Sequence, residues 1–134
     1  MSLIEQAFRA KVLANGAVVA LVADRVYGQR LPQRPTYPAI SVVKISAPRD
    51  HVMEGQSGFV QARFQVDCWS PDDQAAKTLA DTVRLAMGGL PATVLGVEIN
   101  AISLEDDRDL YDDDLEVYGA SVDYLVIYNE AKPA

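Results

Sequence analysis

One cysteine and one histidine in 134 residues leave little material for covalent or metal chemistry. Cys68 has no partner for an intramolecular disulfide, which suits a reducing compartment. It falls in an alternating strand pattern, where a thiol acts as a small hydrophobe. His51 lies elsewhere in the chain. Zinc and iron–sulfur centres therefore lack ligands, and a nucleophile–histidine pair has nothing to assemble from. A glycine-rich phosphate loop, an HExxH helix and a Gly-x-Ser-x-Gly elbow are all missing. No apolar run approaches the ~20 residues of a membrane-spanning helix. In MSLIEQAFRAKV, Glu5 interrupts what would be the apolar core of a signal peptide, so the segment reads as a helix rather than a leader. Neither a cofactor nor a membrane is expected as a partner.

What is present fits one globular domain over residues 1–134. The apolar fraction of 49% and charged fraction of 23% are ordinary for a folded protein, which needs no metal or disulfide at this length. The net charge of −7 opposes tight binding to nucleic-acid phosphates, which requires a basic surface. The charge is also local. EDDRDLYDDDLE, from Glu105 to Glu116, holds eight acidic residues and one arginine, while eleven acids and eleven bases balance elsewhere.

Ser2 and Glu5 have the spacing of a capping box, and Ile4, Phe8 and Val12 continue at helical period. Asn15-Gly16 ends that helix, and a short second helical turn follows over Ala17 to Ala23. Arg25-Val26-Tyr27 reads as a short strand. Pro32, Pro35 and Pro38 then impose an extended connection. Ala39 to Ser46 is a β-branched strand, and Pro48 to Gly58 reads as a polar loop. Val60, Ala62, Phe64, Val66 and Cys68 alternate with Gln61, Arg63, Gln65, Asp67 and Trp69, the clearest period-two signal in the chain. The two strands should form a long hairpin. Ser70-Pro71-Asp72-Asp73 starts a helix, with a side-chain cap, a proline where no amide is needed and acids at the positive end. That helix runs to about Met87, before Gly88-Gly89. Val94 to Leu104 and Val117 to Tyr128 read as strands joined through the acidic segment. The fold expected is α+β: a mostly antiparallel sheet of four to five strands with two helices on one face, in the order α-β-β-β-α-β-β.

Two helices cover only one face of such a sheet. Trp69, Leu125 and Ile127 put apolar surface on the other face beside Arg63 and Asp67, so either the sheet curls or a neighbouring chain covers it. Leu85 falls on the polar side of its helix, a stray exposed leucine or a further subunit contact. Asp50, His51 and Glu54 could form an acid/base or metal cluster, with a solvated turn as the plainer reading. The acidic segment, with Asp106, Asp107, Asp109, Asp112, Asp113 and Asp114, could be a solvated loop or a divalent-cation site. It lacks the glycine and spacing of a calcium loop. It could also repel DNA or meet a basic partner.

Several segments resemble one family in order and spacing. These are Asp24-Arg25-Val26-Tyr27, Leu31-Pro32-Gln33 and Tyr37-Pro38-Ala39-Ile40 near the start. In the middle are Gln65-Val66-Asp67-Cys68-Trp69-Ser70, then Ala76, Leu79-Ala80 and Val83-Arg84. Arg108-Asp109-Leu110-Tyr111 and Ser121-Val122-Asp123-Tyr124 close the series. Together they resemble the tail completion proteins of long-tailed phages, also called tail terminator or tail-to-head joining proteins, found too in prophages and gene transfer agents. The likeness spans about Leu3 to Glu130. It implies a structural virion protein, made in the bacterial host cytoplasm and placed at the head–tail junction. It implies a ring, commonly a hexamer, that caps the tail tube of major tail protein and docks to the head–tail connector. DNA would pass through without specific binding, and no catalytic residues are implied. The competing reading is a small oligomeric α+β module that binds a ligand or regulates an enzyme in the cytoplasm.

Overall fold

Among the described residues, alternation and helical period give three helices and seven strands, in the order α1 (Leu3–Leu13), α2 (Gly16–Val22), β1 (Val26–Gly28), β2 (Ala39–Ser46), β3 (Arg49–Val52), β4 (Gly55–Ser70), α3 (Asp73–Leu85), β5 (Ala92–Val94), β6 (Val97–Asp112) and β7 (Val117–Asn129). The computed structural model describes residues 3–28, 31–46, 49–52 and 55–129, apart from the side chains of 3, 49–52 and 55–59. The expected capping box involves Ser2 and the expected cluster involves Glu54 with the Asp50 and His51 side chains; these lie outside the described residues.

The strands form one sheet in the order β1-β2-β4-β7-β6-β5, with β3 paired to β4. Among the described residues only β1 and β2 run parallel, and the other pairs are antiparallel. The α+β, mostly antiparallel architecture is as expected, but four to five strands and two helices undercount it. The polar stretch from Pro48 to Gly58 is not a plain loop, because β3 pairs with β4 as far as Val52 opposite Gly55. The strand expected from Val94 is split by a two-residue turn, Leu95-Gly96, with φ of 49° and 80°. Both residues occupy the left-handed region that two-residue hairpins favour, and leucine there hides the turn from pattern reading.

The largest correction concerns the acidic segment. It is not a connecting loop. β6 continues through it to Asp112, paired with β7 to Val117, and the turn is confined to 113–116. Aspartate is a poor strand former. The ladder to β7 overrides that local preference.

Local caps explain the helices. Asn15 Oδ1 accepts the amides of Ala17 and Val18 at 2.9 and 3.2 Å, so the residue expected to stop α1 also starts α2. Asp72 caps α3 by accepting the Ala75 amide at 3.1 Å. All three helices bury their apolar faces on the same side of the sheet. There Ile4, Phe8, Val12, Val18, Leu79 and Val83 meet Ile40, Ala62, Phe64, Val66, Cys68, Tyr124 and Val126. Phe8 stacks on Phe64 with ring centroids 4.6 Å apart and planes within 6°. Lys44 of β2 reaches Glu5 of α1 at 3.3 Å. The β5–β6 turn reaches over α1, where Leu95 lines a shallow groove with Arg9, Val26 and Gly28. Both ends of the strand order therefore lie against α1 on the helix side, which leaves the outer face uncovered by the helices.

Candidate partner-binding surfaces

The face of the sheet turned away from the helices is built by strand register. Arg63 lies opposite Leu125, Gln65 opposite Asp123, Asp67 opposite Ser121, and Trp69 opposite Gly119. On β6, Asp106 continues the row of Asp123 and Arg108 the row of Ser121. Five of the six residues singled out from the sequence as an interface therefore share one face: Arg63, Asp67, Trp69, Leu125 and Ile127. Leu85 does not. It is 64% exposed on α3 and lines a separate groove with Lys11, Ala14 and Val94.

On the outer face Asp67 and Asp123 both have side-chain partners. Asp67 is buried and accepts the Gln65 side-chain amide at 3.1 Å on each carboxylate oxygen. The Arg108 guanidinium donates to Asp123 at 3.3 and 3.4 Å and lies 3.7 Å from Asp106. The hydrogen bond to Asp123 leads in raising its pKa, so this lone cation of the acidic segment stays charged at any ordinary pH. The hydroxyl of Ser121 is buried with no hydrogen-bond partner.

Trp69 is partly covered by its own chain. Its indole NH donates to Ser41 Oγ at 3.4 Å, and Leu31, Pro32 and Gln33 line a groove with it, Asp67, Asp112 and Leu115. Gly119 provides the flat floor beneath the indole: a Cβ there would lie 2.8 Å from Trp69 Cζ3. Sequence reading missed Gly119 and the Arg108–Asp123 pair. An arginine alone among eight acids was the available signal for the pair.

The acidic residues do not form one patch. Asp106 points to the outer face, whereas register puts Asp107 and Asp109 on the helix side, where Asp109 lies 3.7 Å from Lys77 of α3. Asp112 Oδ1 accepts the amides of Asp114 and Leu115 at 3.0 Å each, closing the turn. Asp113 and Asp114 are exposed in that turn. Among the described residues no three His, Cys, Asp or Glu side chains are gathered where they could hold a metal ion. Between α3 and the overhanging β6 runs a groove of ≈ 300 Å³, floored by Ala120 and Val122 and walled by Lys77, Asp81, Arg84 and Asp107.

Residues 6–129 match the family described as Tail completion protein gp17. The chain belongs to that family. It is accordingly a structural virion protein of the tail-completion kind. Among solved structures, a chain from "Virion of native gene transfer agent (GTA) particle" has the same fold, with a TM-score of 0.78 over 95% of each chain at 14% identity. No curated protein matches. No helix among the described residues is long and apolar enough to cross a membrane.

Cys68 is a clean probe of this family fold, being fully buried on the helix side of β4. Burial, then the charge of Asp67, pushes its thiol above the ordinary 9.0. Below pH 9 the thiol is protonated in both folded and unfolded chains. Above it only the unfolded chain ionises, so the group lowers stability as pH rises through the alkaline range. At pH 8 Cys68 should react with a thiol reagent at least ~100-fold more slowly than in denaturant, because reaction requires opening of the core. Labelling at the unfolded rate would show that β4 is not buried as described.

Proposed function

We propose that this chain, acting as a single domain over residues 1–134, assembles into a hexameric ring. The ring caps the tube of major tail protein and presents a docking face to the head–tail connector. The family match over residues 6–129 carries this reading. The helix-free sheet face supports it, with half-buried Arg63, Trp69, Leu125 and Ile127 around buried Asp67. That face is the surface offered to the tube or connector, and exposed Leu85 is a separate contact point.

DNA passes through the ring without being gripped. Asp113 and Asp114, at the exposed turn, face the bore and repel phosphate, so that passage releases no counterions and leaves no affinity. The protein performs no catalysis and uses no cofactor.

Native mass measurement with and without purified tail tubes tests the reading. The expected result is a closed oligomer, formed alone or on the tube end, and tails that join heads only when the protein is supplied. A chain that stays monomeric and never binds tubes would sink it. In the same joining assay, Asp113→Asn with Asp114→Asn should leave ring mass unchanged and slow or reduce productive joining. No effect on joining would reduce the turn to a solvated loop.

A further inference from the structure

Two parts of the strand order differ in charge: Arg9 and Arg25 bind carbonyls around β1, and Glu105, Asp106, Asp107 and Asp109 lie on β6. Residues 1–63 hold eight basic and four acidic side chains, and residues 64–134 hold four basic and fifteen acidic ones. The first part supplies β1, β2 and β3 at one flank of the sheet, and the second supplies β7, β6 and β5 at the other. We propose that the ring closes head to tail across these flanks: the free edge of β6 in one copy docks against the β1 flank of the next. The proposal rests on the ring reading above and names the contact between neighbours.

On β6, pairing with β5 ends at Ile99, so among the described residues the edge from there to Asp112 has a ladder on one side only. Such an edge invites another chain. Asp106 on one side and Asp107 and Asp109 on the other flank it with Glu105, more acids than Arg108 and Lys77, each 3.7 Å from one of them, offset, and Leu104 (42%) and Tyr111 (50%) expose apolar surface along it. Two copies meeting edge to edge would set acid against acid, which disfavours a symmetric dimer.

The opposite flank is complementary. Arg9 donates to the carbonyls of Val26 at 2.8 Å and Asp24 at 3.1 Å, and Arg25 to those of Pro38 at 3.0 Å and Leu21 at 3.3 Å. Carbonyl oxygens orient these cations without cancelling their charge. Arg34 is exposed in the connection to β2, and Leu21 beside Arg25 exposes apolar surface. Opposite charge around apolar contacts on two different flanks is the arrangement of a heterologous interface, which closes into a ring when the rotation allows.

The test is a charge swap read by native mass and sedimentation, with and without tail tubes. One protein carries Asp107→Lys and Asp109→Lys, and the other carries Arg25→Glu and Arg34→Glu. Arg34→Glu alone replaces the second pair if circular dichroism shows loss of fold. Each should assemble only at roughly tenfold or higher concentration than wild type, and wild-type assembly should weaken as salt rises. Mixed in equal amounts, the two should recover assembly as particles of alternating 1:1 composition. Wild-type rings that form while both variants assemble unchanged would overturn the flank contact and leave the ring standing. Failure of the mixture to recover would also overturn the contact. A wild-type chain monomeric alone and with tubes would overturn both.

Discussion

Phe64→Ala is expected to destabilise the protein by about 3–5 kcal/mol, the usual loss for a buried aromatic. Phe64 lies mid-strand on β4, fully buried, stacked on Phe8 of α1 and paired across the ladder with Tyr124 of β7. Removing its ring leaves a void between a helix and two hydrogen-bonded strands. The strands cannot close it without breaking register, and α1 is tied at its ends by Glu5–Lys44 and by Lys11 to the Gly88 carbonyl. The cavity therefore stays largely open, which is the condition for a loss near the top of the range. Since domains carry about 5–15 kcal/mol in total, the variant should sit close to unfolding at growth temperature. Urea titration should show a lower midpoint with an unchanged slope. Phe64→Leu should lose less than half as much. A loss under ~1 kcal/mol for alanine would mean that α1 does not dock where described.

Gly119→Val should have the second largest effect, by overfilling rather than emptying. A Cβ at 119 would stand 2.8 and 3.0 Å from Trp69 ring atoms and 3.2 Å from Leu110 Cβ. The indole must move, and its place is bounded by Ser41 and by Leu31, Pro32 and Gln33. Overpacking of this kind costs about 1–3 kcal/mol. Trp69 is the only tryptophan, so its fluorescence reports the displacement directly and should shift toward the solvent-exposed value. Trp69→Leu should remove most of the penalty of Gly119→Ala, a non-additivity expected only if the two positions touch. Additive losses would place the strain elsewhere. The variant also bears on assembly, because a displaced indole changes the outer face offered to the tube or connector.

The strand–helix unit from β4 through α3 was readable because its signals are local. Val60 to Cys68 alternate over one face, Asp72 caps the next helix, and Ala76, Leu79 and Val83 recur at helical period. The family likeness was readable too, through short segments in the right order. Elements held by partners distant in sequence were not readable. The acids from Glu105 to Asp112 favour no strand on their own and form one because β7 offers a ladder along their whole length. The Leu95-Gly96 turn carries no asparagine or aspartate to announce it, and the β5–β6 ladder that closes on Val94 and Val97 holds it. Gly119 looks like a spare glycine until the register sets it under Trp69.

By itself, the amino-acid sequence determined the composition of the domain, its capped helices, its central alternating strand and its family. Tertiary structure alone decided which charges meet. Register split the acidic segment between the outer face, the helix side and a turn, because successive strand residues point to opposite faces. Strand order then put β1, with Arg25 before it, at one end of the sheet and acidic β6 towards the other. Linear order sets which residues exist near one another along the chain, while pairing between distant strands sets which of them share a surface.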